Sequence, residues 1–148
     1  CTTVEGIHVY GSPFTCWAPK ADGTRPGWAH GVVRGRRCHE ICSRMPDAGV
    51  DVLLTHQPPL GRCDCVDEGG GHAGGCVDLL AAVQERQPSV HVFGHIHEGY
   101  GISSDGTTLY INAANLAEGR SASARRGMLN YPIVFDLAKP SATACSES

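Results

Sequence analysis

The stretch Val90-His91-Val92-Phe93-Gly94-His95-Ile96-His97-Glu98-Gly99-Tyr100-Gly101 decides how this chain is read. Val90 to Phe93 is a short run of β-formers, as expected of a buried strand. Gly94 breaks the run, and His95 and His97 follow with Ile96 between them. In extended backbone alternate side chains share a face, so the two imidazoles would point one way and Ile96 would anchor the other. Gly99 and Gly101 then allow a sharp turn. The run Val50-Asp51-Val52-Leu53-Leu54-Thr55 repeats the design and delivers His56 before Gln57-Pro58-Pro59. Pro58 biases Gln57 toward extended geometry and ends the pairing. Sites in α/β folds form at the carboxyl ends of strands. Three imidazoles delivered there predict a metal site made of His56, His95 and His97.

Between the two runs, Cys76 to Arg86 reads as a helix, with Cys76, Leu79, Leu80 and Val83 as its apolar stripe and Pro88 closing it. Strand, helix, strand is a crossover unit with parallel strands, which brings His56 to the same edge as His95 and His97. Upstream, Glu5 to Pro13 reads as a strand ended by a turn, with His8 as a half-exposed strand residue. Phe14 to Gly35 has no sustained period and is expected to be a long loop, with Trp17 and Trp28 packing on the core. Arg36 to Met45 is expected to form a short helix burying Cys38, Ile41, Cys42 and Met45. Leu60 to Gly75 is read as a flexible polar loop carrying His72. Asp105-Gly106 marks a hairpin turn. Asn112 is expected to bond the neighbouring turn backbone. A last strand is expected over Ile133 to Leu137, and residues 139–148 as a disordered tail.

With 148 residues the chain can build one domain and a modest core. No apolar run is long enough to span a membrane, and no charged-then-apolar leader is visible. The first residue is Cys1, which suggests a processed product or an incomplete piece. A net charge of −3 argues against binding a nucleic-acid polymer. The arginine runs Arg34, Arg36, Arg37 and Arg120, Arg125, Arg126 read as solvated surface. Eight cysteines raise a disulfide framework. Without a secretion signal they are expected to be reduced, and a cytoplasmic location is favoured. A structural zinc site using Cys38, Cys42, Cys63 and Cys65 is the sharper alternative, although the chain contains no Cys-x-x-Cys pair.

Thr55-His56-Gln57-Pro58-Pro59 followed by Gly94-His95-Ile96-His97 resembles the last two blocks of the calcineurin-like metallophosphoesterases. Gly6 to Pro13, Asp51 to His56, Pro58-Pro59-Leu60-Gly61, His91 to Gly101, Ile111-Asn112-Ala113 and Pro132 to Leu137 look closest to the metallophosphoesterase-domain-containing subfamily. Some members of that subfamily are known as cyclic-nucleotide phosphodiesterases. The resemblance covers residues 4–138 and implies an α/β fold, the C-terminal half of a layered metallophosphoesterase sandwich. It implies hydrolysis of phosphoesters, as phosphodiesters of small nucleotides, at a site holding two divalent metals (manganese, iron or zinc). His56 and His95 would serve one metal and His97 the other.

The chain departs from the family pattern in one respect. No Asp-x-His, Gly-Asp or Gly-Asn-His occurs in it. It therefore offers the histidine half of the metal shell, no identifiable catalytic residue, and a site expected to hold one metal weakly or none. Two expectations follow. The chain is the C-terminal part of a phosphodiesterase whose N-terminal half lies elsewhere, or it is a binding module for a metal or nucleotide that does not hydrolyse it. An uncovered sheet face or edge, and hence aggregation or need of a partner, is expected in the first case.

Overall fold

The computed structural model describes residues 1–17, 30–66, 74–115 and 130–138. The expectations for His72, Trp28, the second arginine run and the tail fall outside those residues, as does the Trp17 side chain.

Ten elements are formed: β1 (Thr2–Val4), β2 (Ile7–Ser12), β3 (Thr15–Trp17), β4 (Gly31–Val33), α1 (Arg36–Cys42), β5 (Val52–Thr55), α2 (Val77–Arg86), β6 (Val90–Phe93), β7 (Gly101–Ser104) and β8 (Leu109–Asn112). Six of the strands make one sheet in the order β1-β2-β5-β6-β8-β7. The four inner strands β2, β5, β6 and β8 run parallel, and β1 and β7 close the edges antiparallel. The result is a mixed α/β, sheet-rich fold. Parallel inner strands put Ser12, Thr55, Phe93 and Asn112, and hence the segments that follow them, at one rim of the sheet.

The apolar runs form central strands because both faces have something to bury. Register pairs Tyr10 with Leu53, Leu53 with His91, and His91 with Tyr110, so these four share one face. That face packs on the helices. Leu53, Phe93 and Tyr110 form one cluster with Cys38 and Ile41 of α1 and Leu79, Ala82 and Val83 of α2. The opposite face carries Val9, Val52, Leu54, Val92 and Ile102, and here Leu54 and Ile102 stand 42% and 54% exposed. Among the described residues no helix covers that face.

Helix α2 starts where its cap allows. Cys76 is extended, and its sulfur accepts the Leu79 N–H at 3.4 Å. The helix stops at Gln87, which takes a left-handed conformation just before the buried Pro88. The hairpin turn holds as read from Asp105-Gly106. Asp105 Oδ1 accepts the N–H groups of Thr107 at 3.1 Å and Thr108 at 2.9 Å, and Gly106 has φ 91°.

Several expectations are corrected. The stretch from Phe14 to Gly35 is not all loop: β3 and β4 form a second, two-stranded parallel sheet, which lies beside α1. Each strand is three residues long, too short for a period to register. Ile133–Leu137 is not a strand. Pro132 removes an amide donor, and the segment is tied down instead by Tyr100 Oη donating to Tyr131 O and Asn130 Nδ2 donating to Ala114 O. Val134 is left 89% exposed. The cysteines are not all reduced, because Cys16 and Cys38 form a disulfide. β3 lies beside α1 through contacts between segments 22 residues apart, which no local pattern announces. In the Leu60–Gly75 segment, Asp64 is buried and accepts the N–H groups of Gly61 and Gly75. It is an anchor inside a segment read as loose.

Candidate metal centre

His56 leaves the end of β5 on a segment held from below. Thr55 Oγ1 donates to Gln57 O at 2.8 Å. A hydroxyl has one proton to give, so the 2.8 Å contact of the same oxygen with His91 Nε2 makes that ring nitrogen the donor. His91 Nδ1 is then a bare acceptor, buried with no partner among the described residues. Burial pulls the His91 pKa down to about 3, so the ring stays neutral. Gln57 is buried as well, with Oε1 accepting the Cys16 N–H at 2.9 Å. Pro58 and Pro59 are fully buried behind it. His56 itself remains exposed at the rim.

His95 is brought to His56 by backbone. The Gly94 N–H donates to His56 O at 3.1 Å, and the imidazole centroids lie 4.9 Å apart with the rings inclined at 56°. The extended reading of the histidine pair is corrected here. His95 has φ 71°, and the Ile96 N–H donates back to Gly94 O at 2.8 Å. This is a γ-turn of the strained, positive-φ kind. A non-glycine residue in that region costs about 1–3 kcal/mol and persists only when its surroundings impose it.

Those surroundings are visible. Ile96 is buried, as the anchor role required. Asn112, fully buried at the end of β8, donates through Nδ2 to Ile96 O at 2.8 Å and to Cys63 O at 2.9 Å, and its Oδ1 accepts the Ala114 N–H at 3.0 Å. The amide thus grips the peptide between the two histidines. His97 opens the next turn, closed by Tyr100 N–H to His97 O at 3.2 Å. A Cβ on Gly99 would collide with the Cys63 carbonyl, so only glycine fits there.

His56 and His95 are thus brought together, and His97 follows on the same loop. Burial, followed by the nearby His56 and His97, lowers the pKa of His95. The shift disfavours the charged imidazolium at this rim. His8 does not join them. It lies at the other end of the sheet with Nδ1 3.3 Å from Asp51 Oδ2, as a strand histidine. An open concavity of about 500 Å³ borders His56, lined by Gly11, Ser12, Pro13, His30, Leu54 and Thr55. His30 was not singled out in the sequence, because nothing in the patternless stretch around it marks its place. Tyr100 anchors Tyr131, a role its position in the motif does not reveal.

Among the described residues, the one set of three metal-type donors within 4.8 Å of one another is Cys16, Cys38 and Cys76. The three histidines are grouped more loosely, and no carboxylate among the described residues completes a compact set with them.

No family model matches the chain. Comparison with curated proteins is decisive. The human metallophosphoesterase domain-containing protein 1 is 44% identical over 139 residues, which is 93% of this chain and 38% of that protein. By sequence, the chain is similar along nearly its whole length to the C-terminal part expected of metallophosphoesterase domain-containing proteins. The mouse protein of the same name matches to the same extent. A UPF0046 protein of Caenorhabditis elegans is 43% identical over 133 residues, 89% of this chain and 30% of the relative. The chain thus spans 38% and 30% of the lengths of the human and nematode relatives. The name of the human and mouse relatives marks those proteins as metal-dependent phosphoesterases. The residues present fit the imidazole part of such a site. No described helix is long and apolar enough to cross a membrane.

Proposed function

We propose that the chain contributes the histidine side of a two-metal phosphoester hydrolase, acting on phosphodiesters of small nucleotides. The observation that carries this reading is the placement of His56 and His95, from two separate strands, with ring centroids 4.9 Å apart beside an open concavity. Divalent metals, when bound, would supply a Lewis acid for the phosphoryl oxygen and an acidified water. This chain's part is to hold. His56 and His95 would ligate one ion and His97 the other, with manganese, iron or zinc as candidates. Asn112 and the γ-turn fix the imidazoles before any ion arrives. Leu54, Pro13 and His30 would line the side on which the substrate sits.

Among the described residues no carboxylate completes a compact set with the histidines, so we place such ligands on polypeptide outside these 148 residues, together with the rest of a layered α/β sandwich. The half-exposed apolar face of Leu54 and Ile102 supports a second layer packing there. Residues 4–138 would then be the partial phosphoesterase domain, with a small phosphoester as its partner rather than a nucleic-acid polymer or a membrane. A second reading, a metal- or nucleotide-binding module without turnover, is favoured by the lack, among the described residues, of a carboxylate in a compact set with the histidines.

One experiment separates the two. The longest open frame containing these codons is expressed with manganese and given bis(p-nitrophenyl) phosphate. Turnover that drops by a hundredfold or more in His95→Ala, a loss of about 2.7 kcal/mol of transition-state stabilisation, supports the hydrolase. Metal binding with no turnover in the wild type leaves the binding module. Turnover indifferent to His56, His95 and His97 refutes both.

A further inference from the structure

A second group of metal-type donors lies in the core, away from the histidine rim. Cys16 comes from β3, Cys38 from α1 and Cys76 from the cap of α2, and all three are buried. Cys16 and Cys38 are joined, and the Cys76 sulfur lies 3.4 Å from that of Cys38. One turn further along α1, on the same side as Cys38, the half-buried Cys42 lies near enough to Cys76 for the two thiols to influence each other's ionisation. Four sulfurs from three elements thus meet in one place.

We propose that this cluster is a zinc site that opens when the Cys16–Cys38 bond is reduced, with Cys16, Cys38, Cys42 and Cys76 as the four thiolate ligands.

The dimensions suit the ion. A Zn–S bond of about 2.3 Å in a tetrahedron sets the sulfurs about 3.8 Å apart. The Cys38–Cys76 separation of 3.4 Å and the Cys16–Cys76 separation, within 4.8 Å, bracket that value, and the bonded Cys16–Cys38 pair would part on reduction. Side-chain rotation at Cys16 and Cys42 would complete the shell. The chemistry balances. A dithiol reductant passes two electrons and two protons to the Cys16–Cys38 bond, leaving two thiols and an oxidised dithiol. Zinc then displaces the thiol protons to solvent.

The surroundings favour thiolate at Cys76. Hydrogen bonds from Cys42 and from the Leu79 and Asp78 amides draw the Cys76 pKa down to about 7. Cys42, the donor of that shared proton, is pushed up. Arg86 is a favourable charge for Cys42, and Arg34 donates to the carbonyls of Gly74 and Gly75 beside Cys76. The cluster also touches the rim, because the Cys16 N–H is bound by Gln57, the neighbour of His56. Oxidised, the site ties β3 to α1 alone. Loaded with zinc, it would tie both to α2.

This inference does not depend on the phosphoesterase reading, and cobalt(II) tests it separately. Thiolate ligands give an intense near-ultraviolet charge-transfer band, which imidazoles do not. The full 148-residue chain is reduced with a phosphine, titrated with cobalt and then with zinc. One ion per chain with the thiolate band, displaced by zinc, is expected; the oxidised chain should lack the band. Cys76→Ser keeps a helix-capping oxygen, and circular dichroism confirms its fold. It should weaken zinc by roughly a hundredfold, and Cys42→Ser should weaken it too. His56→Ala and His95→Ala should leave the band intact. A reduced chain with no band, a band that survives both serine variants, or a band lost with His95 overturns the proposal.

Discussion

Asn112→Ala is the substitution whose cost follows most directly from the structure. The amide is fully buried and makes three hydrogen bonds, two to carbonyls of different segments and one from the Ala114 N–H. Alanine leaves all three groups unpaired in a site too tight to admit water freely. At about 1 kcal/mol net for each bond the loss is about 3 kcal/mol, a factor of more than a hundred in the folding equilibrium. Asn112→Asp separates the geometry from the volume. A carboxylate still accepts from Ala114 but faces the Cys63 and Ile96 carbonyls with no proton to give.

Burial raises the pKa of that aspartate above its unfolded value, so the folded state binds the extra proton. Stability of the variant is then fullest below the unfolded pKa, about 3.9, and is lost as pH rises toward the folded one. Urea denaturation at micromolar concentration should therefore show Asn112→Asp falling further behind wild type at pH 7.5 than at pH 5. Asn112→Ala should show no such pH trend beyond that of the wild type. An alanine variant within 0.5 kcal/mol of wild type would refute the claim that this amide holds the histidine turn.

Other consequences can be checked alongside. His91 is neutral in the fold with a pKa near 3 and protonates at about 6.5 when unfolded, so the unfolded state binds the extra proton between those values. Stability should be full above pH 6.5 and fall by about 2 kcal/mol by pH 5 in urea melts, and His91→Gln should flatten that slope. Gly99→Ala forces a Cβ against the Cys63 carbonyl and should cost about 1–3 kcal/mol in the same melts. Alone in solution the chain should self-associate through the face of Leu54 and Ile102, and Leu54→Glu should shift sedimentation toward monomer. A wild-type chain that is already a monomer at high concentration would speak against the missing layer.

Much of the centre was legible because its signals are local. Val90–Phe93 and Val52–Thr55 are strong β runs, each ending in histidine, and parallel pairing leaves their ends little choice but to meet. The apolar character of Ile96 marked it as an anchor, and Asp105-Gly106 marked its turn. What escaped depends on contacts distant in sequence. The γ-turn at His95 exists because Asn112 and Cys63 impose it, and alternation alone suggested extended backbone. The Cys16–Cys38 bond joins a three-residue strand to a helix across a stretch without period. Ile133–Leu137 has strand composition but is tethered elsewhere by Tyr100 and Asn130. Asp64 looked like loop polarity, and only the fold shows that it caps two backbone segments.

The most direct test of the account is a manganese titration followed through the imidazole resonances. Manganese is paramagnetic, is a poor partner for thiolates, and broadens nuclei close to it. Signals of His56, His95 and His97 should broaden first and together, and the effect should be lost in His95→Ala while His8 stays sharp. Broadening that begins elsewhere, or that treats all histidines alike, would contradict a shared cation site at this rim.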